Sequence, residues 1–413
     1  MKWSGVFLAL VVLAQLRLEA AALDNGVARL PPMGWSTWCT ENDVLPCYDD
    51  FCNEQEIRSV ADAMAANGLK DLGYNYIVLD DCWGGGRDAQ NNIIPDASRF
   101  PSGMKNLTDY IHARGLLFGV YTDVGTTTCR GGRPGSWPFY EQDARVFASW
   151  GLDYVKMDWC HEPSGFTAQE LYTNMSQALN KTGRPIFFSI CEWGRSDPWT
   201  WGMKVGNSWR VGPDHLPVWW TPPFQQDPGQ GQGTANIIEH MAGLSSYAGP
   251  GGWNDPDFLM PGYWWLSENE QISEFSFWCL WASPLIVATD VRVLSDKKHI
   301  LNKEAIAVNQ DKLGIPGDRI ANYTDGGQVW AKPLSNGSWA VILYNPNFFE
   351  SVDIPVSWDQ IRGWPAMQQA GNKKALVRDL WKHENQGVWA VGFLGKRVEA
   401  HAVRFITVTP YGA

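Results

Sequence analysis

The chain has 413 residues, 45% of them apolar, and a formal net charge of −11. That length exceeds one ordinary domain and leaves room for a large barrel with an appended module. The acidic balance argues against nucleic acid and anionic membrane surfaces as partners, since both repel it.

Residues 1–22 read as a secretory signal. Lys2 supplies the charged start, Val6 to Leu16 form an apolar core too short to span a bilayer, and Ala20-Ala21-Ala22 offer small residues for cleavage. The Trp278 to Val287 run is broken by Pro284, so no later segment reads as a membrane span. Secretion leaves extracellular, wall, vacuolar and lysosomal destinations open. It also makes the eight cysteines disulfide candidates, whose pairing spacing alone leaves open. Five Asn-x-Ser/Thr sequons, at Asn106, Asn174, Asn180, Asn322 and Asn336, suit the same route. Without a Cys-x-x-Cys and with the histidines scattered, no metal site or cofactor is expected.

Between residues 30 and 310, short apolar runs alternate with amphipathic stretches. Strands are expected over Met33 to Trp35, Tyr74 to Leu79, Leu116 to Tyr121, Tyr154 to Met157, Ile186 to Ile190, Ser208 to Val211, Gly252 to Asn254 and Leu285 to Thr289. Helices are expected over Glu54 to Asn67 (after Asn53 as N-cap), Thr167 to Asn180 and Glu268 to Ala282. Eight strands alternating with helices define an α/β (β/α)8 TIM barrel. Gly84-Gly85-Gly86 lacks the spacing of a dinucleotide-binding turn.

After Asp311, β-prone runs come at closer spacing: Gln328 to Lys332, Trp339 to Leu343, Ser351 to Ile354, Ala375 to Asp379, Gly387 to Val391 and Ala402 to Val408. These predict a small antiparallel β-sandwich. The expected division is a signal over 1–22, a catalytic barrel over 23–312 and a sandwich over 313–413. The Trp-, Pro- and Gln-rich stretch from Leu216 to Gly233 fits neither domain. Long barrel loops are often functional, so Trp219 and Trp220 are candidates for a lid or aglycone platform.

Barrel active sites sit at the C-terminal strand ends. Here those ends carry Trp38, Asp80-Asp81, Tyr121 and Asp123, Lys156 and Asp158, Cys191-Glu192-Trp193, Arg210 with Asp214, and Asp255 with Asp257. Carboxylates with flat rings suit sugars: acids accept from hydroxyls, and rings cover the apolar face of a pyranose. Side chains alternate along a strand, so Lys156 and Asp158 share a face and the cation favours an ionised Asp158. Glycoside hydrolysis needs two carboxyls flanking the bond. Asp158 is the nucleophile candidate. Asp214, in a turn where desolvation can keep it protonated, is the acid/base candidate.

The motifs Leu23-Asp24-Asn25-Gly26, Pro32-Met33-Gly34-Trp35, Leu79-Asp80-Asp81-Cys82-Trp83, Tyr121-Thr122-Asp123-Val124-Gly125, Lys156-Met157-Asp158, Cys191-Glu192-Trp193 and Gly251-Gly252-Trp253-Asn254-Asp255-Pro256-Asp257 occur in this order. Together they resemble the α-galactosidases of glycoside hydrolase family 27. Arg378-Asp379-Leu380-Trp381 and His401-Ala402-Val403 resemble that family's sandwich domain. The resemblance implies a retaining exo-glycosidase with a covalent galactosyl-enzyme on Asp158 and Asp214 as acid/base. It implies that Asp80 and Asp81 hold the 4- and 6-hydroxyls, that Lys156 contacts the 3- and 4-hydroxyls, and that Arg210 and either Glu192 or Trp193 face the 2-position. Trp38 and Asp257 then complete the wall, with Tyr121 close by, Cys191 free near the substrate, and Cys129 and Cys160 beside the site. It also implies disulfides Cys39–Cys82, Cys47–Cys52 and Cys129–Cys160.

The substrates so implied are α-galactosyl oligosaccharides, galactolipids or polysaccharide side chains, handled by a monomer or homodimer. The rival activities are α-N-acetylgalactosaminidase, disfavoured by bulky Glu192 and Trp193, and β-L-arabinopyranosidase, disfavoured by Asp80. A non-catalytic galactose-binding protein is disfavoured by the intact Asp158 and Asp214.

Overall fold

The computed structural model describes residues 25–38, 51–222, 231–361 and 374–411. The expected signal segment, Cys39 and Cys47 lie outside them. The first domain runs β1 (Met33–Ser36), α1 (Glu54–Ala66), β2 (Tyr76–Leu79), β3 (Gly84–Arg87), β4 (Ile93–Pro95), α2 (Gly103–His112), β5 (Leu117–Asp123), α3 (Tyr140–Trp150) and β6 (Tyr154–Asp158). It continues α4 (Ala168–Lys181), β7 (Phe187–Ile190), β8 (Ser208–Arg210), α5 (Thr234–His240), β9 (Trp253–Asp255), α6 (Glu268–Leu280), β10 (Leu285–Val287) and α7 (Lys303–Asn309).

Eight strands form one sheet in the order β10-β1-β2-β5-β6-β7-β8-β9, with every pairing parallel. A one-residue bridge from Leu259 to Val287 links the segment after β9 to β10 and curls the sheet shut. The helices start where their sequences say. Asn53 accepts from the Glu56 N–H, and Thr167 with Glu170 and Ser267 with Glu270 form capping boxes. Between β7 and β8 the described chain makes only two short 3₁₀ turns, packed close enough that a Cβ on Gly202 would meet the Trp209 ring at 2.6 Å.

Strand periodicity sorts the barrel side chains. Val155 and Met157 of β6 join the core under the helices, whereas Tyr154 packs inside with Val78, Phe187 and Trp253. Tyr154 stacks on Phe187 at 4.9 Å and 5°. Gly119 makes room for this layer, since a Cβ there would meet the Tyr154 Cβ at 2.6 Å. An aromatic plug therefore fills the barrel. Two residues further along β6 the inward position is Lys156, and two further it is Asp158.

The second domain contains β11 (Asp318–Asn322), β12 (Gln328–Pro333), β13 (Trp339–Tyr344), β14 (Val352–Ser357), β15 (Ala375–Asp379), β16 (Glu384–Trp389), β17 (Gly392–Val398) and β18 (Val403–Pro410). An antiparallel sheet in the order β11-β12-β13-β18-β15-β16 faces the β14–β17 ribbon. Sequence reading missed β11, β17 and the β3–β4 hairpin, and ran the expected Gly387–Val391 strand across the turn between β16 and β17. Alternation again divides the residues. Val329, Val341 and Leu343 fill the sandwich, while Trp330, Ile342, Tyr344 and Phe405 extend the barrel's core. Phe277 of α6 meets Trp330 at 5.3 Å and Tyr344 at 5.2 Å, both edge to face. Helix α6 is thus apolar on both sides because a domain lies on each.

Cys129 joins Cys160. Cys52 joins Cys82, which corrects the expected Cys39–Cys82 and Cys47–Cys52 pairs. Folding α1 back along β2 brings Cys52, two residues before the helix, and Cys82, three residues after the strand, to a Cα separation of 6.0 Å. Cys191 and Cys279 are free and buried. The five sequon asparagines are all exposed. No helix of the described residues is long and apolar enough to cross a membrane.

Candidate active site

Seven of the eight barrel strands deliver polar side chains to one end. Lys156, near the end of β6, is buried, and its Nζ donates to Asp80 Oδ2 at 2.8 Å across the barrel mouth. Asp80 is fixed from behind: its N–H donates to Thr37 Oγ1, and its Oδ1 accepts from the Asp81 N–H at 2.8 Å. The Lys156 ammonium lies 5.6 Å from the Trp38 ring, 5.5 Å from Tyr121 and 4.9 Å from Phe258. It is a cation caged by aromatic rings and acids.

Lys156 draws the Asp158 carboxyl down, as their shared face of the strand predicts. Its direct partner is Asp80, and burial outweighs the remaining attraction. Asp158 is pushed up to about 7, mainly by burial, with Asp214 and Asp80 adding repulsion. Lys156 and a hydrogen bond from the Trp159 N–H to Oδ1, at 3.0 Å, act in the opposite direction.

Asp214 occupies the turn after β8, its side chain 38% exposed at the mouth. Arg210 Nη2 donates to Asp214 Oδ1 at 3.1 Å and pairs with Asp257 Oδ2 at 3.0 Å. Desolvation raises the Asp214 carboxyl and Asp257 raises it further, against Arg210 and Lys156. The turn is clamped by His215, which sequence reading overlooked. Its N–H donates to Asp257 Oδ2 at 2.7 Å, Nδ1 donates to the Phe258 carbonyl at 2.9 Å, and Nε2 sits 2.9 Å from Thr234 Oγ1. A carbonyl only accepts, so Nδ1 carries the proton and Nε2 accepts from the hydroxyl. Burial pushes His215 down to about 4, so the ring stays neutral. No sequence pattern distinguishes it, because its partners come from two segments distant in the chain.

Glu192 is buried after β7. Its Oε2 accepts from the Ser196 N–H and hydroxyl, and burial raises it to about 7. Trp193 and Asp257 hold left-handed backbone at φ 56° and 90°, a conformation unusual outside glycine. Cys191 receives Arg210 Nη1 at 3.6 Å. Asp123 and Asp255, visible in the sequence as strand-end acids, are also buried here. Burial and the Asp158 charge push Asp123 up to about 9, and burial pushes Asp255 to about 6. Asp123 takes the Cys160 N–H at 3.0 Å, so the Cys129–Cys160 disulfide braces the loop behind the carboxyls. Those two sulfurs and the Asp123 carboxylate lie close together, but the cysteines are already bonded to each other, which makes them poor metal ligands.

Four buried atoms of this cluster have no hydrogen-bond partner among the described residues: Asp81 Oδ1, Tyr121 Oη, Glu192 Oε1 and Arg210 Nε. They come from four different strand ends, and such atoms are costly unless a ligand satisfies them. Trp219 and Trp220 do not belong to this cluster. Trp219 stacks on His401 at 4.8 Å, and Trp220 meets Phe348 at 6.2 Å, so both indoles pack toward the second domain.

A parallel barrel whose mouth is ringed by acids, a caged lysine and aromatic rings defines a carbohydrate-processing hydrolase. The sequence profile described as Alpha galactosidase A matches residues 30–311, and that of the Alpha galactosidase C-terminal beta sandwich domain matches 324–408. The chain belongs to glycoside hydrolase family 27, the α-galactosidases. It is 43% identical over 390 residues to the alpha-galactosidase of Cyamopsis tetragonoloba, covering 94% of this chain and 88% of that one. It is 40% identical over 414 residues to the probable alpha-galactosidase of Dictyostelium discoideum, covering 99% of each. The crystal structure of alpha-galactosidase I from Mortierella vinacea superposes with a TM-score of 0.86 at 35% identity, covering 94% of this chain and all of that one.

Proposed function

We propose that this enzyme is a secreted, retaining exo-α-galactosidase that works by double displacement, with Asp158 as nucleophile and Asp214 as acid/base. An Asp158 carboxylate oxygen attacks the anomeric carbon. Protonated Asp214 gives its proton to the departing glycosidic oxygen, so the C–O bond breaks without expelling a bare alkoxide. A galactosyl ester on Asp158 results. Water then attacks the same carbon, Asp214 takes the water's proton, and the ester bond breaks to regenerate Asp158. Roles and environments agree: Asp214 stands at the mouth, where an aglycone leaves, while Asp158 is buried among the groups that hold the sugar.

The observation that carries the reading is the set of four orphaned polar atoms around Asp158, since a pyranose brings several hydroxyls to one place. Asp80, Asp81 and Lys156 hold the 3-, 4- and 6-hydroxyl side. Glu192 and Arg210 face the 2-hydroxyl, with Trp193 limiting room for a larger substituent there. The test is a panel of nitrophenyl glycosides. Turnover of the α-galactoside at least about 100-fold above the α-N-acetylgalactosaminide and the β-L-arabinopyranoside is expected. Preference for either rival would overturn the substrate assignment.

A further inference from the structure

The two tryptophans left unused by the active site line a separate cleft. It has a volume of about 520 Å³ and lies where the loop after Asp214 and helix α5 meet strand β13 and the segment after it. Trp219, Trp220, Tyr344 and Phe348 supply its aromatic surface, and Gln232 and Glu239 are among its polar groups. Trp220 and Phe348 meet edge to face at 6.2 Å, with an interplanar angle of 90°, and remain 46% and 52% exposed. Both aromatic side chains thus keep surface open to solvent, with their planes at right angles, which suits a saccharide unit with one apolar face and a polar rim.

The polar groups point the same way. Trp219 is buried, and its Nε1 has no hydrogen-bond partner among the described residues. Tyr344 is 1% exposed, and no described residue hydrogen-bonds its hydroxyl. A buried indole N–H at a cleft is normally satisfied, and a sugar hydroxyl can accept from it. Glu239 is charge-neutralised by Arg319 at 2.6 Å, yet its side chain is 52% exposed and keeps accepting capacity. The cleft is also tied to the acid/base turn: Gln232 Nε2 donates to the Pro213 carbonyl at 3.0 Å, and the Gln232 N–H donates to the Asp214 carbonyl at 2.7 Å.

We infer that this cleft is a second, non-catalytic carbohydrate site, which holds a pyranose unit of the polymer whose α-galactosyl branches the active site removes. The inference rests on the α-galactosidase reading above, and its occupant is a polysaccharide rather than a protein. Holding the backbone beside the acid/base turn raises the local concentration of branches at the active site.

The test uses whole enzyme inactivated by a 2-deoxy-2-fluoro-α-galactosyl fluoride and run in native gels containing soluble galactomannan. A mass increase on labelling reports the active-site reading by itself. Labelled wild type should be retarded in the galactomannan gel. Trp220→Ala/Phe348→Ala, labelled in the same way, should run as in plain gel. Tyr344→Phe keeps the ring and removes the hydroxyl at the cleft, so it should lose part of the retardation. Unlabelled Trp220→Ala/Phe348→Ala should keep wild-type activity on nitrophenyl α-galactoside, which also shows that it folds, while losing activity on galactomannan. Equal retardation of wild type and double variant, or no retardation of labelled wild type, would overturn the second site while leaving the labelling result intact.

Discussion

Asp158 and Asp214 differ in surroundings more than in chemistry, and the difference can be read from products. Asp158→Gly should lower kcat by at least about 10³-fold, and added azide should give β-galactosyl azide, because azide enters from the nucleophile's side. Asp214→Gly should still be glycosylated by substrates with activated leaving groups and should give α-galactosyl azide. The opposite stereochemistry would exchange the two roles. Lys156 is a second residue with a measurable signature. It holds Asp158 below where burial alone would put it, so Lys156→Met should move the acid limb of the kcat/KM profile to higher pH, besides weakening binding. An unmoved limb would show that Lys156 acts only through Asp80.

The turn after β8 shows what a short segment contributes. His215 joins Asp257, the Phe258 carbonyl and Thr234, so it fixes where Asp214 stands without touching substrate. His215→Ala should cost about 10- to 100-fold on substrates with poor leaving groups, where protonation matters, and little on dinitrophenyl galactoside. Equal losses on both would mean general damage to the fold. His215 also marks where the sequence stopped being legible. Strand ends were readable because apolar runs of four or five residues finish in acids, and a strand's period of two then aims alternate residues inward. Tertiary partners leave no such trace. The ammonium of Lys156 went to Asp80, 76 residues away, rather than to its neighbour on the strand. Trp219 and Trp220, placed over the active site from loop composition alone, turned toward the second domain because aromatic surface on β13 was there to meet them. Strands β11 and β17, with few fully buried apolar positions, gave too weak an alternation to be seen.

Across the whole molecule, buried acids couple stability to pH. Glu192 and Asp158 sit at about 7, Glu274 at about 8 and Asp123 at about 9, each raised mainly by burial. Above pH 6.5 an unfolded chain has ionised these carboxyls and neutralised its histidines, while the folded chain still holds protons. The folded state therefore binds more protons, and stability falls as pH rises from about 6.5 to 9. Thermal unfolding of the ligand-free enzyme should occur several degrees lower at pH 8.5 than at pH 6.5. Glu274→Gln, lying behind His215, should flatten that slope, and a transition that rises with pH would contradict the assignment. The domain interface gives a second test. Trp330→Ala empties the space against Phe277 and Trp281, and should cost about 3–5 kcal/mol. Loss of that stability in a single unfolding transition would show that the two domains melt together.

The order of strands in the second domain also bears on synthesis. Strand β18 lies in the middle of its sheet, between β13 and β15, and Phe405 on it belongs to the core shared with α6. Until residues 403–410 leave the ribosome, β13 and β15 have no neighbour between them, and α6 keeps an uncovered apolar side. The nascent barrel must therefore wait, partly exposed, until residues 403–410 have been made. Premature stop codons shortly before that strand should yield no folded barrel, even though every barrel strand has already been translated.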